Sequence, residues 1–135
     1  MSPQDMNLGA SFKEYFEIIP ASSKELKNEA YRIRHQVYCE DLNFEPLRSN
    51  GFETDEYDSS ALHLLIRSIK FDMFIGCTRI IRPKANKLHT PLPFEKICTN
   101  SLNRSIVDPA QLPRNKIAEV SRLAVIASFR RRKDE

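Results

Sequence analysis

Glycine is scarce in this sequence, with three in 135 residues against eight prolines. Backbone that closes around phosphate groups usually relies on glycine, so a phosphate-gripping loop is not expected here. No run approaches the roughly 20 apolar residues that a membrane helix needs. The N-terminus has no basic start followed by an apolar stretch, which argues against a secretory signal. Cysteines are few and odd in number: Cys39, Cys77 and Cys98, with no Cys-x-x-Cys spacing. They read as free thiols in a reducing compartment, and the expected location is cytoplasmic. Charge of one sign is also lacking. A net charge of +3 does not demand a nucleic-acid partner.

What is present is apolar enough to fold. A hydrophobic share of 41% and eight Phe suit one small globular domain with a single core. Residues 1–11 read as a flexible N-terminal arm, and residues 12–135 as the domain. Phe12–Ile19 is aromatic and β-branched and ends at Pro20, which predicts a first strand. Ser22 and Glu25 offer a capping box. Leu26, Ala30, Ile33 and Val37 then recur at helical spacing, predicting an amphipathic helix to about Cys39–Asp41. Residues 42–60 read as a long ordered loop. Ala61–Arg67 and Met73–Ile81 predict an antiparallel hairpin with its turn near Lys70–Asp72. Phe94–Cys98 reads as one helical turn, and Lys116–Ile126 as a late strand. The order implies an α+β fold on a mostly antiparallel sheet with flanking helices.

Two stretches resemble a known family. The first is Arg34-His35-Gln36-Val37-Tyr38, then Phe44, then Asp55-Glu56-Tyr57-Asp58. The second is Glu119-Val120-Ser121-Arg122-Leu123-Ala124-Val125, and Gly76-Cys77-Thr78-Arg79 adds to them. The residue types and spacings are similar to those of acyl-homoserine-lactone synthases. Their variant details resemble a sister group, the exosortase-associated (PEP-CTERM) acyltransferases. The resemblance implies a GNAT-like (acyl-CoA N-acyltransferase) fold, here an N-terminal portion that is incomplete at the C-terminus. It implies transfer of an acyl group from an acyl-carrier-protein or CoA thioester to an amine, with no permanently bound cofactor. Where the synthases have Phe and Trp, this chain has Tyr38 and Phe44, which points away from S-adenosylmethionine as the amine.

The resemblance names Glu119, Ser121 and Arg122 as catalytic candidates. Arg34, Tyr38, Phe44, Asp55, Asp58 and Arg79 become substrate-binding candidates. Amide formation from a thioester needs a neutral amine, a polarised carbonyl and a base. Glu119, in an otherwise apolar strand where desolvation favours the protonated form, is the candidate base. A salt bridge with Arg122 is the plainer alternative. The two residues are three apart, so they share a face only if a β-bulge intervenes, as the GNAT resemblance implies. Asp55 and Asp58 either join Arg34, Arg79 and Arg122 in a charged cluster or lie with Glu53 and Glu56 in a solvated acidic turn. Tyr31 reads as packing. His35 and His63 have no second ligand at metal spacing, and Cys39 and Cys77 read as buried small residues. Arg130, Arg131, Arg132 and Lys133 either dock an acyl carrier protein or form a solvated tail. Two alternatives stay open beside the acyltransferase: an acyl-homoserine-lactone synthase, and a non-catalytic half-domain that self-associates or binds a partner. A truncated sheet would expose the edge of its last strand, predicting a homodimer through that edge. The resemblance also places the donor-binding amides and acyl tunnel beyond residue 135, so this chain alone is expected to be poorly active or inactive.

Overall fold

The computed structural model describes residues 7–130. Its elements are α1 (Leu8–Tyr15), β1 (Phe16–Pro20), α2 (Lys24–Arg34), β2 (Leu62–Ser68), β3 (Met73–Ile81), α3 (Pro93–Ile97) and β4 (Glu119–Val125). A π-helical stretch, His35–Asp41, continues α2 without a break. The strands form one sheet in the order β1-β2-β3-β4, and every pair is antiparallel. The α+β, antiparallel expectation holds. No helix among the described residues is long and apolar enough to cross a membrane.

The N-terminal half of the predicted first strand is helical instead. Asn7 caps α1 by accepting the Ala10 N–H at 3.1 Å. Phe12 and Phe16, four apart, stack with ring centroids 5.2 Å apart, a pairing that helical spacing favours. Residues 8–11, read as part of a flexible arm, are therefore the first half of a helix. Residues 1–6 lie outside the described residues.

The α2 cap is Ser23, not Ser22: its hydroxyl accepts the Leu26 N–H at 3.1 Å. That shift puts Leu26 where a capping box needs Glu or Gln, so the box does not form. The predicted apolar face does form. Ala30, Ile33 and Val37 are buried, and Leu26 packs beside them against Leu65, Ile75, Cys77 and Ala124 of the sheet. Each large side chain among them contributes about 1.5–3 kcal/mol by leaving water.

The β2–β3 hairpin turns where expected, with Ser68 opposite Met73. At Gly76 the sheet is closest: an added Cβ would sit 2.9 Å from the Ala124 carbonyl oxygen, so a side chain there would push β3 off β4. β4 begins at Glu119, three residues later than predicted. Residues 82–118, between β3 and β4, hold α3, a short 3₁₀ turn at Pro109–Gln111 and an isolated bridge between Lys84 and Lys87. Buried Arg114 pins this connection. Its guanidinium donates to the carbonyls of Leu88 at 2.9 Å, Thr90 at 3.0 Å and Pro109 at 3.2 Å, and pairs with Glu95 at 2.9 Å.

Candidate active site

The face of the sheet beneath β4 carries a closed ring of six charged side chains. Arg34, at the end of α2, donates through Nε to Glu53 at 2.8 Å, and through Nη1 to Asp58 at 2.6 Å. Asp58 also accepts from Arg79 Nη1 at 2.9 Å, and the same nitrogen reaches Asp55 at 2.6 Å. Arg122 closes the ring, with Nε to Glu53 at 3.0 Å and Nη2 to Asp55 at 3.3 Å. Guanidinium and carboxylate alternate all the way round, and the formal charges cancel.

Each carboxylate comes from the connection between α2 and β2, and each guanidinium from a different element. The ring therefore ties that connection to the helix and to both β3 and β4. Glu53 and Arg34 are 0% and 1% exposed. Buried charges of this kind persist only when fully paired. Burial alone would raise the Asp58 pKa, but hydrogen bonds from Arg34, the Asp55 N–H and Arg79 more than offset it. The carboxyl is held below its usual range.

The solvated-turn alternative is thus overturned for Glu53, Asp55 and Asp58, while Glu56 stays exposed. Sequence reasoning did not select Glu53 as a site residue. Nothing in its neighbourhood along the chain separates it from Glu56. Its backbone N–H, donated to the Tyr31 carbonyl at 3.1 Å, and its pairing with Arg34 fix it under α2.

The expected bulge is present in β4. Cys77 pairs with Ala124 but Arg79 pairs with Ser121, so Arg122 and Leu123 stand opposite the single residue Thr78. Arg122 takes a left-handed backbone, φ +53°, which L-residues other than glycine adopt at a cost. The bulge turns two successive side chains toward the ring. The Ser121 hydroxyl accepts from Arg79 Nε at 3.1 Å while Arg122 bonds Glu53 and Asp55.

Glu119 does not pair with Arg122, whose partners are Glu53 and Asp55. The half-buried Glu119 carboxylate accepts the Phe94 N–H of α3 at 3.2 Å. Tyr38 donates its hydroxyl to the Leu123 carbonyl inside the bulge. Its ring lies 5.9 Å from the Arg122 guanidinium and 6.4 Å from the ring of Phe44, which is 70% exposed. The π-helical turn positions this pair, for the Tyr38 carbonyl accepts the Phe44 N–H at 2.8 Å.

Other candidates are structural. His63 is buried, hydrogen-bonded through Nε2 to the Asp58 carbonyl at 3.0 Å and packed edge-on against Tyr31. His35 accepts the Arg48 N–H at 3.0 Å. Burial pushes the Cys77 thiol up to about 12, which keeps it protonated and unreactive. Among the described residues, no three His, Cys, Asp or Glu side chains are arranged to hold a metal ion. Arg130 pairs with Asp41 at 3.1 Å; Arg131, Arg132 and Lys133 lie outside the described residues.

Open space lies next to Tyr57, between Asp55 and Asp58 along the chain. Two clefts, of about 350 and 260 Å³, flank the segment after β3 and share Ser60, Arg82, Pro83 and Lys84. The smaller is floored by Ile81, the ladder partner of Glu119.

Comparison with known proteins agrees with this α+β fold. Residues 33–134 match the Acetyltransferase (GNAT) domain, and the chain belongs to that family. Among solved structures it is similar to the AHL synthase LasI, at 22% identity and a TM-score of 0.53. The match covers 82% of this chain and 53% of LasI, so the chain spans about half the length of that structure. No curated protein matches the chain significantly.

Proposed function

We propose that the chain carries the amine-acceptor side of a thioester-dependent N-acyltransferase, with Glu119 as the general base. The observation that carries this reading is the β4 bulge at Arg122. It brings Arg122 and Ser121 to one face, on the same strand as Glu119, whose ladder partner Ile81 lines an open cleft. In the reaction, the amine nitrogen attacks the thioester carbonyl carbon and the carbon–sulfur bond breaks. Glu119 accepts the proton that the nitrogen loses, and the thiolate leaves to be protonated. A bulge takes at least one backbone amide out of the regular ladder, and such an N–H suits the developing oxyanion. The charge-neutral ring acts as the rigid mount for Arg122 and Ser121, and Tyr38 and Phe44 form an aromatic wall beside them. The donor is an acyl-CoA or acyl-carrier-protein thioester, and Arg130 belongs to the rim such a protein would meet. The structural similarity to an AHL synthase and the motif resemblance to exosortase-associated acyltransferases both support an acyl donor of this kind.

The test is amine-dependent thiol release from an acyl-CoA and from an acyl-carrier-protein thioester. Glu119→Gln should lower that rate by about 10²–10⁴-fold with the fold intact by circular dichroism. An unchanged rate would remove Glu119 from the chemistry. A second reading, a non-catalytic domain that pairs through β4, draws on the open edge of that strand. Val120 and Leu123 there are 68% and 62% exposed. Light scattering that finds only monomer at high concentration excludes it.

A further inference from the structure

We infer that the cleft after β3 is an anion site, and that the amine acceptor carries a carboxylate, phosphate or similar group that docks there. This deepens the acyltransferase reading and rests on it for the word acceptor.

Residues 82–118 hold seven Lys or Arg against two acids, Glu95 and Asp108. Both acids are already engaged, Glu95 by Arg114 at 2.9 Å and Asp108 by Arg104 at 2.6 Å. Lys96 faces Glu56 at 3.9 Å. Arg82, Lys84 and Lys87 form no ion pair among the described residues, and all three line the smaller cleft. Like charges gathered on one short segment raise the local positive potential and draw anions toward it.

The ring cannot serve the same purpose. Its guanidiniums are matched by three carboxylates, so it offers an anion no free cation. The cleft also supplies hydrogen-bonding groups from Ser60, Tyr57 and Thr90, and a single acid, Glu56, at its rim.

Position links the cleft to the chemistry. Ile81 forms its floor and pairs in the ladder with Glu119. Leu92, on its wall, caps α3, whose Phe94 N–H holds the Glu119 carboxylate. An acceptor anchored by its anionic end at Arg82 and Lys84 therefore has its other end directed along the sheet toward the base.

Two arms test the site. In the first, inorganic phosphate is titrated into the intact chain at constant ionic strength and followed by amide shifts. Saturable shifts confined to residues 57–60 and 82–92 are expected. Arg82→Gln with Lys84→Gln, both surface changes, should weaken them at least about tenfold, while Lys70→Gln on the β2–β3 turn should not. Shifts that never saturate, or that survive the double substitution, overturn the anion site. This arm needs no turnover, so it fails or succeeds independently of Glu119. In the second, thiol release is compared with β-alanine and with ethanolamine as acceptors. The double substitution should raise the KM for β-alanine about tenfold and leave those for ethanolamine and the thioester unchanged. A raised thioester KM with unchanged amine KM would assign the anion to the donor and overturn the acceptor assignment. Inertness toward both amines is the outcome expected if the chain needs a donor-binding half, and the phosphate titration then decides the anion site by itself.

Discussion

In the ring beneath β4, six charged groups cancel and are largely sealed from water. In the connection between β3 and β4, positive charge accumulates and stays exposed. The ring gathers partners from four separate segments and leaves none of its buried side-chain atoms without a hydrogen bond. The connection is held mainly by one residue, Arg114, acting on its own neighbours. The contrast separates two arrangements: a balanced network ties four segments together, while an unbalanced one leaves cations without an ion pair among the described residues.

The largest expected effect comes from breaking the ring. Arg34→Met leaves Glu53 and Asp58 buried without their shared guanidinium and should cost roughly 3–5 kcal/mol, read as a lowered urea midpoint. Loss of under about 1 kcal/mol would mean the ring is not the mount proposed for β4.

Breaking the connection should be milder and local. Arg114→Met strands Glu95 and three carbonyls, for a loss of about 1–3 kcal/mol. Amide exchange should accelerate between residues 88 and 114 and stay slow in β2 and β3. Equal acceleration throughout the sheet would erase the distinction between the two regions.

The smallest effect is pH dependence at the edge of the ring. His63 has its pKa lowered from 6.5, first by burial and also by the nearby Arg34 and Lys27, against the opposing pull of Asp58. The unfolded chain then takes up a proton that the native one resists. Stability is complete above about pH 6.5 and falls on acidification until the depressed native value is passed. Asp58, lowered from 3.8, adds a second fall below that value. Thermal melts across this range should show both descents, and His63→Gln, which keeps an N–H for the Asp58 carbonyl, should remove the upper one. A flat profile between about pH 7 and 5 would contradict the burial of His63.

Parts of this were legible in the chain itself. The α2 face of Leu26, Ala30, Ile33 and Val37 follows from helical period, and the β2–β3 hairpin from two apolar runs around a polar turn. Arg34, Asp55, Asp58, Arg79 and Arg122 were visible as a set through their resemblance to family motifs. α1 was not, because Phe12–Ile19 satisfies strand composition while the Asn7 cap and the Phe12–Phe16 stack decide for helix. Glu119 was legible as a site residue, but its hydrogen-bond partner, Phe94, was not.

Local pattern thus determined α2, the β2–β3 hairpin and the late strand, though not α1, because periodicity and turn chemistry act over a few neighbours. Tertiary structure alone decided that Glu53 belongs to the ring and Glu56 to solvent, and that Arg82, Lys84 and Lys87 face one cleft with no ion pair among the described residues. Charge pairing depends on distance in space, and residues 34, 53, 79 and 122 meet only after the sheet and its bulge have formed.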